Sequence, residues 1–164
     1  EEDLREDFRI VNTYSGKMMK TRLDKSGNAM EFETDLSKQQ AVPFEVVIFF
    51  LRKNLINILQ TEDYSFTLFL PLLALELEDK GLPRSMSMIR MVAELKEKIN
   101  LDTPLGQMQA RKILIFPQSG ILRALLPREK THFEFTFSAD APHHLLEFEV
   151  GETRHMLTQL VLKE

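Results

Sequence analysis

The chain has 164 residues, 43% of them hydrophobic and 28% charged, which fits one globular domain of ordinary size and excludes general disorder. A net charge of -4, with Lys and Arg scattered among acids, argues against nucleic acid as a partner. The absence of cysteine excludes disulfides, thiolate catalysis and cysteine-ligated zinc. No apolar run approaches the roughly 18 residues that cross a bilayer as a helix.

The first 36 residues predict a β-meander. Reverse-turn sequences at Ser15-Gly16 and at 25–28 separate short alternating runs. The apolar face of this meander is predicted to contain Phe8, Ile10, Tyr14, Met18, Leu23, Met30 and Phe32. The chain begins at Glu1 without an initiator Met, which indicates either cleavage of a leader or trimming of the N-terminus.

The segment 43–59 predicts one amphipathic helix. Its apolar residues recur at spacings of three and four, and Pro43 stands where a helix can begin. Phe49 and Phe50 widen the apolar side, so we expect a sheet to cover most of the helix. A helix that lies on a membrane surface is the alternative, but such a helix would carry a richer basic face.

From residue 64 onward the hydrophobic period changes to two. This period predicts strands at 64–70 and 73–77, with Pro71 as a bend or edge between them. Another strand is predicted from Met86 to Leu95, with a bulge near Arg90.

The stretch from Ile99 to Ile113 predicts a β-hairpin. Pro104 fixes φ near the start of the turn, and Gly106 tolerates a positive φ at its end, so both residues shape the chain and perform no chemistry. Further half-buried strands are predicted over 113–116, 133–137, 146–150 and 156–162. The chain is thus predicted to be mainly β, a curved antiparallel sheet or a partly open barrel or meander. The helix over 43–59 packs against this sheet, within a single domain of residues 1–164.

No motif in the sequence specifies catalysis. The four histidines, His132, His143, His144 and His155, lack the spacing of metal ligands, so we expect no metal site and no cofactor. Acidic residues alternate with apolar ones at Glu76, Glu78, Glu134, Glu147 and Glu149. That alternation is typical of a strand surface that faces water, although two facing carboxylates in a cleft would support hydrolysis. No catalytic residue is therefore assigned.

Large apolar side chains are abundant, with 12 Phe and 8 Met. They suit a packed core, and the flexible thioethers of Met also suit an adaptable cavity. The residues selected as candidates for an apolar ligand site are Phe44, Ile48, Leu51, Met86, Met88, Phe135 and Phe137.

Residues 99–113 resemble a family of exported bacterial proteins known as domain of unknown function 3108, in which a Thr-Pro-Leu-Gly turn joins two strands. Residues 44–53, ending in Phe-Phe-Leu-Arg-Lys, resemble the family's short helix ending in Leu-Arg. Residues 137–140 resemble its Trp-x-Ser-x-Asp segment, with Phe137 in place of Trp, and residues 157–162 resemble its closing strand. The resemblance covers residues 31–162, with fewer strands ahead of it than in the family.

The resemblance implies a β-rich domain located in the periplasm or at the outer membrane of a bacterium, and it carries over no catalytic residue. It favours a non-enzymatic binding or envelope-assembly module over an enzyme. The expected partner is an apolar or lipid-like small molecule or an envelope protein. The alternative is a hydrolase that acts on envelope glycans through carboxylates on its strands.

Overall fold

The computed structural model describes residues 8–25, 28–37, 39–61, 63–71, 73–74, 77, 81, 83–126, 128–151 and 153–158. The chain divides into two compact units, Glu1–Ala41 and Val42–Glu164, and each is described by itself.

The first unit is a three-stranded antiparallel meander, as the sequence predicts. Its strands are β1 (Phe8–Ser15), β2 (Met18–Lys25) and β3 (Asn28–Asp35). Gly16, with φ of 61°, allows the tight turn that pairs Ser15 with Met18. This register exposes Met18 and buries Met19, which pairs with Tyr14. The prediction for Met18 was wrong, because side chains alternate along β2 and the buried face carries Met19 and Thr21.

The second unit is built on a curled, seven-stranded sheet that forms a half-barrel. In chain order the strands are β4 (Val42–Pro43), β5 (Tyr64–Phe69), β6 (Met88–Thr103), β7 (Gly106–Pro117), β8 (Phe133–Ser138), β9 (Leu145–Val150) and β10 (Thr153–Met156). In space they follow the order β10-β9-β8-β7-β6-β5-β4. Neighbours are antiparallel except β4 and β5, which run parallel. The mainly β fold with a curved sheet is confirmed.

Short helical segments accompany this sheet. They include a 3-10 turn (Phe44–Val46), α1 (Val47–Lys53), α2 (Leu55–Gln60), a second 3-10 turn (Arg84–Ser87), α3 (Gly120–Leu125) and α4 (Arg128–Thr131). The predicted helix over 43–59 is thus present as α1 and α2. Asn54 separates them, and its Nδ2 donates to the carbonyl oxygen of Phe50 at 2.8 Å. Neither α3 nor α4 was predicted from the sequence.

The strand predicted over 73–77 is wrong. Pro71, Leu73, Ala74 and Leu77 have helical backbone, and the Ala74 N–H donates to the carbonyl oxygen of Leu70 at 3.1 Å. Leu70, Leu73 and Leu77 are buried at the spacing of one helical face. Proline is also compatible with the first turn of a helix, where its missing N–H needs no partner.

A β-bulge lies on β6 between Leu95 and Lys98, and not near Arg90 as predicted. Leu95 pairs with Ile113 before the bulge, whereas Leu101 pairs with Met108 after it. One extra residue on β6 reverses the faces of the strand, so that Leu101 leaves the main core. Leu101 packs instead in a small second cluster with Ala110 and Leu146.

The β6-β7 hairpin lies where the sequence predicts it. Thr103 pairs with Gly106 across a turn formed by Pro104 and Leu105, and Gly106 has φ of 108°. The Thr103 hydroxyl donates to the carbonyl oxygen of Gly106 at 2.8 Å and accepts the Leu105 N–H at 3.1 Å. The threonine side chain therefore stabilises the turn.

The main core lies on one face of the sheet, which we call the core face. Phe133, Phe135 and Phe137 of β8 all lie on this face and are buried. The Phe44 ring lies 4.9 Å from that of Phe133, and the Phe148 ring lies 4.7 Å from that of Phe135. Val47 and Leu51 of α1 and Leu55 and Ile58 of α2 belong to the same cluster, so these helices cover part of the core face.

We expect Phe135→Ala to lower the free energy of unfolding by about 3–5 kcal/mol, because it leaves a cavity in a packed core. Phe49→Ala is the matched control: Phe49 is 70% exposed, so its loss should cost less than about 1 kcal/mol. Urea denaturation followed by circular dichroism measures both changes. Equal losses in the two variants would contradict this description of the core.

Candidate functional site

The structure places the seven candidate ligand residues in two groups. Five belong to the main core or pack against it: Phe44, Ile48, Leu51, Phe135 and Phe137. Of the other two, Met86 is exposed in a 3-10 turn, and Met88 is partly buried at the start of β6. The five are in contact with a packed core, and the two methionines lie outside that cluster.

A cavity of about 500 Å³ lies where α2 ends and β5 begins. Its lining consists of Ile58, Leu59, Gln60, Thr61, Asp63, Glu94 and Leu95. None of the seven candidate residues is among them. The volume falls within the range of about 300–1,000 Å³ that small-molecule sites occupy.

The cavity has an apolar wall and a polar rim. Ile58 is fully buried in the main core, and Leu59 and Leu95 pack against that core. On the rim, Thr61 and Asp63 are exposed to solvent. A molecule in the cavity would therefore contact the partly buried side chains of Leu59 and Leu95 on one side and polar side chains on the other.

Two local features produce the cavity. Thr61 has extended backbone at the end of α2, and its hydroxyl donates to the carbonyl oxygen of Asn57 at 2.8 Å. The chain then enters β5, whose pairing with β6 ends at Tyr64 and Ala93. Leu95, two residues further along β6, comes directly before the bulge. The end of one strand pairing and the start of a bulge thus coincide at the cavity.

The rim carries more negative than positive charge. Glu94 Oε1 accepts a hydrogen bond from Lys96 Nζ at 2.6 Å, and Asp63 supplies a second carboxylate. Both Glu94 and Lys96 are partly exposed, so the solvent screens their ion pair. Such a rim accommodates a neutral or cationic polar group and disfavours an anionic one.

A second polar cluster lies on the sheet face opposite the core, across β7 to β10. Lys112 Nζ lies 2.5 Å from a carboxylate oxygen of Glu134, and Arg154 Nη2 lies 2.7 Å from one of Glu147. Arg154 Nε lies 3.5 Å from Glu149. Three of the acids that the sequence analysis considered for hydrolysis are thus close together, each with a cation nearby.

The pKa values of Glu147 and Glu149 move in opposite directions. The Glu147 side chain is only 4% exposed, and burial, the largest single influence, raises its pKa. Hydrogen bonds from Arg154 and Glu149, together with the charges of Arg154 and Lys112, outweigh burial and hold the pKa below its usual range. A hydrogen bond to Glu147 raises the pKa of Glu149, and burial adds to that shift. Glu147 therefore stays ionised while Glu149 keeps its proton to a higher pH. Two neighbouring carboxyls whose pKa values move apart are typical of acid–base sites, although neither lines the cavity.

The turn after β8, which contains His143 and His144, is stabilised by hydrogen bonds between its own residues. The Ser138 hydroxyl donates to the carbonyl oxygen of Asp140 at 3.0 Å and accepts the His144 N–H at 2.8 Å. Arg52 of α1 donates from Nε to the carbonyl oxygen of Pro142 at 2.9 Å. These hydrogen bonds therefore stabilise the turn and connect it to α1. Among the residues that the structure describes, no cluster of three or more His, Asp or Glu could bind a metal ion.

The residues that line the cavity were not predicted from the sequence as a binding site. Ile58 and Leu59 were predicted on the apolar stripe of the helix, but nothing in their spacing separates a cavity wall from an ordinary core position. The signal that could have located it is the end of the helix at Thr61 opposite the bulge on β6, and that bulge was predicted at the wrong position.

Comparison with known proteins found no matching family model, no matching curated protein and no matching solved structure. Within the described part of the chain, no helix has the length and apolar character needed to cross a membrane.

Arg154→Met removes the cation that holds Glu147 ionised, so we expect the pKa of Glu147 to rise and the free energy of unfolding to fall at about pH 7. A lowered pKa contributes stability above the unfolded-state value, and this contribution disappears as the pH falls through the folded-state value. The difference between wild type and variant should therefore narrow towards about pH 3. Urea denaturation of both proteins between about pH 3 and about pH 7 measures this difference in the free energy of unfolding.

Arg22→Met serves as the control, because Arg22 lies 3.9 Å from Glu31 and both side chains are largely exposed. We expect this variant to keep wild-type stability at every pH. The same small, pH-independent effect in Arg154→Met would refute the assigned role of Arg154.

Proposed function

We propose that this protein is a non-enzymatic binding module of the bacterial cell envelope that holds an amphiphilic, lipid-like small molecule in the cavity beside α2. The observation that carries the proposal is the composition of the cavity, an apolar wall continuous with the core below a polar rim. Transfer of apolar ligand surface from water to the side chains of Leu59 and Leu95 would drive binding. Asp63 and Glu94 would select a neutral or cationic polar group.

The resemblance of the hairpin at 99–113 to exported bacterial proteins supports a location in the periplasm or at the outer membrane. An envelope protein is the other partner considered for such a module. The volume of the cavity favours the small molecule, because it falls in the range of small-ligand sites, whereas protein interfaces are broad surfaces.

Hydrolysis of envelope glycans is the second candidate function, and the opposite pKa shifts of Glu147 and Glu149 favour it. These carboxyls lie on the face opposite the core, where Arg154 already binds Glu147. If the protein hydrolyses glycans, Glu149→Gln should abolish the release of reducing sugar from purified cell-wall material. If the binding proposal is right, wild type and variant both release none.

The binding proposal is tested with two fluorescent probes that share one ring system. N-phenylnaphthylamine is neutral, and anilinonaphthalenesulfonate adds a sulfonate to the same rings. We expect the neutral probe to bind more tightly, since the rim carries excess negative charge. Leu59→Trp should fill the cavity and weaken binding of the neutral probe about tenfold or more. Ile56→Trp is the matched control, because Ile56 lies on the same helix and is exposed.

A charge variant tests the rim without disturbing the core. Asp63→Lys should strengthen binding of the sulfonate probe relative to the neutral one, whereas Asp102→Lys, at the exposed end of the β6-β7 hairpin, should leave the ratio unchanged. The proposal fails if the wild-type protein does not bind the neutral probe. It also fails if Leu59→Trp and Ile56→Trp bind that probe equally well.

A further inference from the structure

An aromatic and cationic cluster lies where β7 ends and β8 begins. The rings of Phe116 and His132 are stacked, with their centroids 6.2 Å apart and their planes 20° from parallel. The Arg123 guanidinium lies 5.3 Å from the centre of the Phe116 ring. The Phe116 ring therefore contacts both a cation of α3 and the histidine that precedes β8.

Arg128 adds a second cation beside the histidine. It begins α4, and its carbonyl oxygen accepts the N–H of His132 at 2.8 Å. The Thr131 hydroxyl lies 3.2 Å from Nδ1 of His132, so the orientation of the imidazole is constrained on that side. Phe116, Arg123, Arg128 and His132 together are called the β7–α4 cluster below.

Positive charge dominates the β7–α4 cluster. Burial lowers the pKa of His132, and the nearby charges of Arg128 and then Arg123 lower it further. Both guanidinium groups are therefore close enough to act on the imidazole through space. The backbone hydrogen bond with Arg128 acts in the opposite direction but does not outweigh these effects.

The two arginines have no acidic partner in the part of the chain that the structure describes. Lys112, by contrast, binds a carboxylate of Glu134. Arg123 and Arg128 are also exposed, so a ligand in solution can reach them. Like charges around one histidine repel each other, and an anion bound among them would remove that repulsion.

We propose that Arg123, Arg128 and His132 bind a phosphate group, either as the free ion or as part of a phosphorylated small molecule. A guanidinium group donates two parallel hydrogen bonds to phosphate oxygens, and a protonated imidazole donates one more. A phosphate monoester carries a charge of about −1.5 to −2 at pH 7, which balances both arginines. A carboxylate would balance only one of them.

This site does not depend on the proposed function, because its residues line no part of the cavity beside α2. An inorganic anion has no apolar surface to place in that cavity. Anion binding and binding of N-phenylnaphthylamine are therefore measured separately, and either proposal can fail while the other holds.

The experiment follows the His132 ring by NMR while sodium sulfate is added at constant ionic strength. Sulfate has the shape and the double charge of a phosphate dianion, and it keeps that charge while a histidine titrates. We expect saturable shifts of the His132 ring resonances. We also expect the pKa of His132 to rise, because a bound anion stabilises the imidazolium form. Acetate, with its single charge, should bind more weakly than sulfate.

The source of the phosphate group is examined at a fixed pH of about 7.5, where a phosphate monoester is mostly a dianion. Inorganic phosphate and glycerol phosphate are compared under the same conditions. Tighter binding of glycerol phosphate would assign the site to a phosphorylated molecule, and tighter binding of inorganic phosphate would assign it to the free ion.

Variants of Arg128 test the charge directly. Arg128→Met should weaken sulfate binding about tenfold or more, and it should raise the pKa of His132 even without sulfate, because a nearby positive charge is lost. Arg128→Lys keeps the charge and should retain part of the binding. Arg90→Met is the matched control, because Arg90 is an exposed arginine on β6 without an ion pair among the described residues. This control should bind sulfate like the wild type.

Phosphate binding is overturned if sulfate leaves the His132 resonances of the wild type unchanged, or if Arg90→Met loses as much affinity as Arg128→Met. Arg123→Met separates binding from packing. If Arg123 only fixes α3 to Phe116, this variant loses stability but still binds sulfate like the wild type, and that result would also contradict the proposal.

Discussion

Burial of the phenylalanine row on β8 is the constraint on which the second unit depends. Phe133, Phe135 and Phe137 alternate along one strand and therefore lie on one face of the sheet. Leaving one such side chain in water would forgo about 1.5–3 kcal/mol, so three adjacent ones strongly favour a covering layer. Phe44 and Phe148 contact this row, so the chain before α1 and the neighbouring strand β9 are positioned by it.

The cavity follows from where this packing ends. Ile58 of α2 is still buried in the core, but Thr61 has already left the helix, and the bulge after Leu95 changes the course of β6. The apolar wall is therefore part of the core, while the rim belongs to a chain segment between two elements. A site of this kind combines hydrophobic binding energy with polar selectivity, because the two come from different parts of the structure.

The sequence predicted those elements whose conformation depends on residues close together in the chain. The hairpin followed from Pro104 and Gly106, and β8 followed from strict alternation of Phe with polar residues. The choice between helix and strand around Leu73 and Leu77 could not be made in this way, because a run rich in leucine fits a helical period as well as a strand period. The cavity, and the contact of Arg154 with Glu147, depend on strand register and bulges between segments that are distant in sequence or joined by turns. The spacing of residues within one segment does not contain that information.

The most direct test of the cavity is a chemical-shift map. The amide resonances of the protein are recorded by NMR while the neutral probe N-phenylnaphthylamine is added. If the probe occupies the cavity, the largest shifts occur at Ile58 to Thr61, at Asp63 and at Glu94 and Leu95, with little change at the β6-β7 turn. Shifts that centre on another part of the chain, or no saturable shifts at all, would contradict the proposed site.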